Sequence, residues 1–119
     1  MSNEIHKRDA RGALEVREPE PGVLRVKVSG HLSEEVGRAF PDFARAAALR
    51  AERCEVQLDV RELDGFDPAV RDAWVKVVLE FRARIARVHV VSSKFFITLA
   101  ARAAGVALGR LGVRFEVNA

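Results

Sequence analysis

Between Cys54 and Arg61 the chain alternates, with Val56, Leu58 and Val60 set against Gln57, Asp59 and Arg61. Period two predicts a strand with one face in a core. Leu63-Asp64-Gly65-Phe66 follows, and its Asp-Gly pair predicts a turn, because glycine accepts positive φ without a Cβ clash. Asp67 is placed to N-cap a helix whose first position is Pro68, where a missing N–H costs nothing. Strand, turn and capped helix make half of a βαβ unit, and the rest of the chain is arranged around it.

Upstream, Ala13 to Arg17 and Val23 to Ser29 are short alternating segments joined by Glu18-Pro19-Glu20-Pro21-Gly22, a predicted hairpin. Ser33 suits an N-cap, followed by Glu34 and Glu35 at the positive end of the helix dipole. That helix should reach about Arg50, turning Val36, Phe40, Phe43, Ala44, Ala47 and Leu49 to the sheet. Pro41 predicts a kink in it or an early end to its first turn. Pro68 to Ile85 carries Val70, Ala73, Trp74, Val77, Val78, Phe81 and Ile85 at helical spacing. Val75 and Leu79 fall on its other side, where they offer a docking surface.

Arg87 to Val91 reads as a strand, and Phe95 to Leu111 as a helix that is apolar almost all round. One stripe holds Phe96, Leu99, Ala100, Ala103 and Ala107, and another Ile97, Ala104 and Leu108. Such a helix should be covered on more than one side. Ala101, Gly105 and Gly109 recur every four residues as a small-residue ridge that admits close backbone approach, either within the domain or in self-association. Val113 to Val117 alternates as a last strand. The predicted order is β-β-α-β-α-β-α-β, an α/β class, single layered domain over 13–119 with a mixed, mostly parallel sheet. Residues 1–12 are polar apart from Ile5 and are expected to be a flexible tail.

A chain of 119 residues supports one core. Its 49% hydrophobic and 31% charged residues place it among soluble globular proteins. No leader segment is expected, and Arg102 interrupts the longest apolar run, so a cytoplasmic protein without stable membrane insertion is expected. The single Cys54 excludes an internal disulfide and argues against a cysteine metal site. The net charge of +3 is spread along the chain rather than clustered with aromatics, so no nucleic-acid partner is expected.

The arrangement resembles the STAS superfamily, the fold of anti-sigma factor antagonists, and within it the divergent bacterial branch called STAS-like and related to lipid-binding proteins. Four features carry the resemblance: Val23 to Gly30 with its strand-ending glycine, Cys54 to Val60 as central strand, Phe66-Asp67 opening the next helix, and Val88 to Val91 before an Ala-rich helix. The resemblance spans about Ala13 to Val117. It implies a non-enzymatic regulatory or assembly protein acting through protein contacts. In phosphoregulated members the central strand ends in an Asp-Ser-Ser-Gly type motif whose hydroxyl a partner kinase modifies. The matching Asp67-Pro68-Ala69-Val70 keeps the Asp but has no hydroxyl, so that switch is absent. A last helix of the family is also expected to be missing after Val117.

Catalytic chemistry finds little support. Ser92 and Ser93 sit at a strand-to-helix turn and His31 or His89 could serve as base, yet no Gly-x-Ser-x-Gly elbow frames them. His89, amid Val88, Val90 and Val91, reads as a structural histidine. No metal or cofactor is called for, since His and carboxylates do not cluster at ligand spacing. An alternative function is a small anion- or lipid-binding module: Asp64, Asp67, Ser92, Ser93 and Lys94 should meet beyond the carboxyl ends of neighbouring strands. There the free N–H groups of the following helix could take a phosphate or carboxylate. Simple N-capping by Ser92 or Ser93 competes with that use. Candidate contact residues for a partner or a second copy are Val75, Leu79, Ala101, Gly105 and Gly109.

Overall fold

The structure is a computed structural model and describes residues 3–119. Six strands form one sheet in the order β1-β2-β3-β4-β5-β6: Asn3–Arg8, Gly12–Glu20, Val23–Leu32, Cys54–Phe66, Ile85–Val91 and Phe115–Asn118. The first two pairings are antiparallel and the last three parallel. The helices are α1 (Glu34–Gly37), α2 (Ala39–Arg50), α3 (Pro68–Glu80) and α4 (Phe95–Arg110). Right-handed crossovers that all step the same way along the sheet put the helices on one face. The other face is polar and lined by Glu15, Arg17, Arg25, Lys27, Gln57, Asp59 and His89.

The tail expected over 1–12 is instead an edge strand from Asn3 onward, with Met1 and Ser2 outside the described residues. Asn3 pairs with Glu18 and Arg8 with Ala13. Its side chains carry no alternation and only Ile5 is half-buried, so backbone pairing is its main tie to β2, helped by the Asn3 amide on Glu18, and composition does not report that. Asp9 closes the turn to β2 by accepting from the N–H groups of Arg11 (2.8 Å) and Gly12 (3.0 Å).

Leu14, Val16, Leu24, Val26, Val28, Val56, Val88 and Val90 make the sheet side of the core. Glu18 follows Leu14 and Val16 on the same inward face and is buried. Burial alone would raise its pKa; the Gly22 N–H, the Asn3 amide and Arg50 outweigh that and hold the carboxyl below its ordinary value. The Arg50 contact, at 2.8 Å, ties the end of α2 to the hairpin. Burial pushes the Cys54 thiol up, with Glu18 adding to it. It is an inert core residue.

β4 differs from expectation. Leu63 to Phe66 is strand rather than turn, and Gly65 lacks a positive φ. Two register shifts against β3, after Lys27 and after Gly30, each place an extra residue in β4. Each bulge resets the inward face, so the core positions run Val56, Val60, then Leu63, and simple alternation stops where the strand does not. Glycine at 65 serves a close approach: a Cβ there would lie 3.2 Å from Nδ1 of His31. Likewise Ile85 opens β5 rather than ending α3, and Leu49 is 72% exposed while Ala48 takes its place inside.

The kink expected at Pro41 is present as the break at Arg38 between α1 and α2. Pro41 has no N–H to give to the carbonyl four residues earlier, that of Gly37. Trp74 Nε1 on α3 donates to that carbonyl at 2.8 Å while its ring packs on Phe40, 4.6 Å between centroids. Gly37 lets α3 come this close, since a Cβ there would sit 2.8 Å from a Val70 methyl. Trp74→Phe should therefore cost about 1–3 kcal/mol by orphaning the Gly37 carbonyl. In a Pro41→Ala background, which restores a donor, chemical denaturation should find a clearly smaller cost; equal costs would show that the indole bond is not the reason.

Candidate functional site

Asp67, Asp64 and Lys94 lie where the parallel strands end, but the structure divides them into two closed contacts. Asp67 flanks α3 without capping it; its carboxylate reaches across to the start of α1. His31 Nε2–H donates to Oδ1 at 2.8 Å and the Glu34 N–H donates to Oδ2 at 3.0 Å. The helix Asp67 caps is thus α1, alongside Ser33, whose Oγ accepts from the Val36 N–H at 3.3 Å and donates to Asp9 at 2.7 Å. The hydrogen bond from His31, then that from Glu34, lowers the Asp67 pKa from its ordinary 3.8.

Lys94 pairs with Asp64 and donates to the Leu63 carbonyl at 3.1 Å. Ser93 Oγ donates to the Arg61 carbonyl at 3.0 Å. Ser92 is buried and accepts from Thr98 Oγ1 at 2.8 Å. Neither serine caps α4, whose N-cap is Lys94 with no side-chain bond. The five residues expected to gather around an anion are instead engaged separately: Ser93 and Lys94 with the end of β4, Asp67 with His31 and the start of α1, and Ser92 with Thr98 of α4. His89 lies on the polar sheet face, its Nε2 2.8 Å from the Asn118 amide nitrogen, as a structural histidine should. Ser33 is turned toward Asp9, so the His31–Asp67 pair has no hydroxyl in its hydrogen-bond chain.

The small-residue ridge is used inside the domain at Gly105, where a Cβ would lie 2.5 Å from the Phe115 ring on β6. Ala101 also packs on the core. Gly109 is exposed, with open space where its Cβ would be. Val75 and Leu79 are half-buried and, rather than standing on a free face, line a groove with Ala100, Ala103, Ala104 and Ala107 of α4.

The expected cover on both sides of α4 is missing. Ile97, Thr98 and Leu108 are buried on its inner side, but Phe95 (73%), Phe96 (80%), Leu99 (56%) and Val106 (58%) are exposed, with Leu111 just beyond. At about 100° per residue, Phe95, Leu99 and Val106 share one line along the helix with the exposed Arg102, flanked by Phe96 and Ala103. Phe95 and Phe96 pack edge to face at 5.5 Å between centroids. Arg102, on the same line, is the sequence signal for the outward side of this otherwise apolar helix; that nothing in the domain covers the apolar residues around it is a matter of tertiary packing. No helix among the described residues is long and apolar enough to cross a membrane.

The folded-state pKa of Asp67 lies below its unfolded value, so its contribution is whole above pH 3.8 and is lost as pH falls through the folded value. Asp67→Asn should lower the melting temperature at pH 7, and the gap from wild type should narrow below about pH 4. A gap that persists at low pH would mean that the carboxylate charge is not what matters. Along the ridge, Gly105→Leu should destabilise by about 1–3 kcal/mol through overpacking on Phe115. Gly109→Ala should stabilise by about 0.5–1 kcal/mol, as usual for an exposed helical glycine. Thermal melts of the two variants check both signs.

No protein-family model and no curated protein sequence matches the chain. Solved structures do. A protein of unknown function from the DUF3478 family of Shewanella loihica PV-4, described as having a SpoIIAA-like fold, superposes with a TM-score of 0.62 at 18% identity, over 98% of this chain and 85% of that one. The anti-sigma factor antagonist SpoIIAA in its unphosphorylated form gives 0.62 at 9% identity, over 86% of each chain. Apo-SiaC from Pseudomonas aeruginosa gives 0.60 at 11% identity, over 98% of this chain and 99% of that one. At these identities the likeness concerns the fold alone: the chain has the SpoIIAA-like, STAS-type fold.

Proposed function

We propose that this chain is a non-enzymatic, cytoplasmic regulatory or assembly protein that works through protein contacts, with the outer face of α4 as contact surface and a second copy of itself as occupant. The uncovered apolar line of Phe95, Leu99 and Val106 carries the reading. Large apolar side chains gathered on an exposed helix face mark a contact surface, and the domain leaves these uncovered around Arg102. With roughly 150–250 Å² on each aromatic side chain, the exposed parts of Phe95, Phe96, Leu99, Val106 and Leu111 offer on the order of 500 Å². Two copies would bury on the order of 1,000 Å², the threshold for a specific interface.

An antiparallel pairing of two α4 helices about an axis between Arg102 and Ala103 sets Leu99 opposite the second copy's Val106, with the small Ala103 side chains near the axis and the two Arg102 side chains turned away from each other so that their guanidiniums reach water at the rim. It also brings Arg110 within reach of the other helix's Phe95 and Phe96 for cation–π contact. The SpoIIAA-like fold supports the regulatory part of the reading, since one protein of that fold is an anti-sigma factor antagonist. Asp67-Pro68-Ala69-Val70 has no hydroxyl at the start of α3, so regulation by phosphate at that point is not part of it.

Light scattering over a concentration series should give the mass of a dimer, and Leu99→Asp should give a monomer with an unchanged circular dichroism spectrum. A wild-type protein that stays monomeric at high concentration would overturn the self-association reading.

A further inference from the structure

Beneath that surface, between α3, α4 and the sheet, lies an apolar cavity of about 140 Å³. Its origin is in the sequence of α4. The residues facing inward near α3 are Ala100, Ala101 and Ala104, too short to reach β4. The void leaves a mark on the strand: Val56 and Val60 are buried, whereas Leu58, between them on the same inward face, is only half-buried. Trp74 and Phe115 line the same space and are half-buried too.

Among the residues around the cavity, Arg71 alone is charged. It stands at the opening on α3, where the cavity meets the groove, and Lys76 lies further along that groove. The ion partner of Arg71 is its chain neighbour Asp72, at 3.3 Å with both side chains more than half exposed. A surface pair of this kind is worth little and leaves the guanidinium free to turn to another anion.

An apolar pocket of this volume has room for an apolar molecule as large as benzene. We propose that it binds the apolar end of a small organic monocarboxylate, an aryl group or an acyl tail of about six to eight carbons, with Arg71 holding the carboxylate at the mouth. The volume sets the tail, the lining excludes a polar group inside, and the single cation at the rim selects the charge. The site is distinct from the strand-end loops and does not depend on the outer face of α4.

The single tryptophan, Trp74, lines the cavity and reports on it. Titration with octanoate should change its fluorescence saturably, 1-octanol should bind roughly tenfold more weakly, and Arg71→Gln should remove that difference. Ala104→Phe, which fills the space, should abolish the response to both. The absence of a saturable response to octanoate, equal affinity for the two probes in the wild type, or binding that survives Ala104→Phe overturns the proposal. Should Ala104→Phe fail to fold, amide shifts of the wild type on octanoate addition decide: changes confined to α3, α4 and the middle of β4 support the site, and changes elsewhere or none overturn it.

Discussion

The parallel ladder between β3 and β4 is the constraint on which the other elements depend. It runs from Val23 opposite Glu55 to Leu32 opposite Phe66 and joins segments more than thirty residues apart, with α1 and α2 in the crossover between them. The two extra residues of β4 are absorbed as bulges beyond Asp59, which turn Leu63 inward and deliver Asp67 beside His31. Once β4 is set, β5 and β6 add outward in sequence order. Each brings one helix to the same face.

Single polar side chains that satisfy backbone groups of another element then hold these layers together. The Asp67 carboxylate supplies the start of α1, the Trp74 indole supplies the carbonyl that Pro41 leaves unpaired, and Lys94 supplies the carbonyl of Leu63. Glu18 does the same for the Gly22 N–H while bonding Arg50. Buried or half-buried backbone groups without a partner are costly, so each such bond matters more than its exposed counterpart. The residues that could have gathered a ligand at the strand ends are consumed in this way.

That helix unites the two proposed roles through one compositional fact. Small residues on its inner side leave a cavity against β4, and large ones on its outer side leave an apolar face in water. A conventional amphipathic helix would reverse that distribution. The inversion places binding capacity on both sides of one element, for a small molecule within and a protein without.

By itself the sequence determined the period-two strands around Val26, Val56 and Val88, the helix starts at Ser33 and Pro68, the break near Pro41 and the inertness of Cys54, because local geometry and burial follow from neighbours along the chain. From these the α/β class and the STAS-type resemblance were legible. Only the tertiary structure decided that Asn3–Arg8 is a strand, because an edge held by backbone pairing needs no side-chain signature. The same holds for the strand character of Asp64-Gly65, where bulges erase alternation, and for Gly105 as a seat for Phe115 rather than an open ridge. It also decided that Phe95, Leu99 and Val106 stay uncovered: Arg102 marks the outward side of α4 in the sequence, but whether another element covers the apolar residues around it depends on contacts distant along the chain, such as the seat of Phe115 on Gly105.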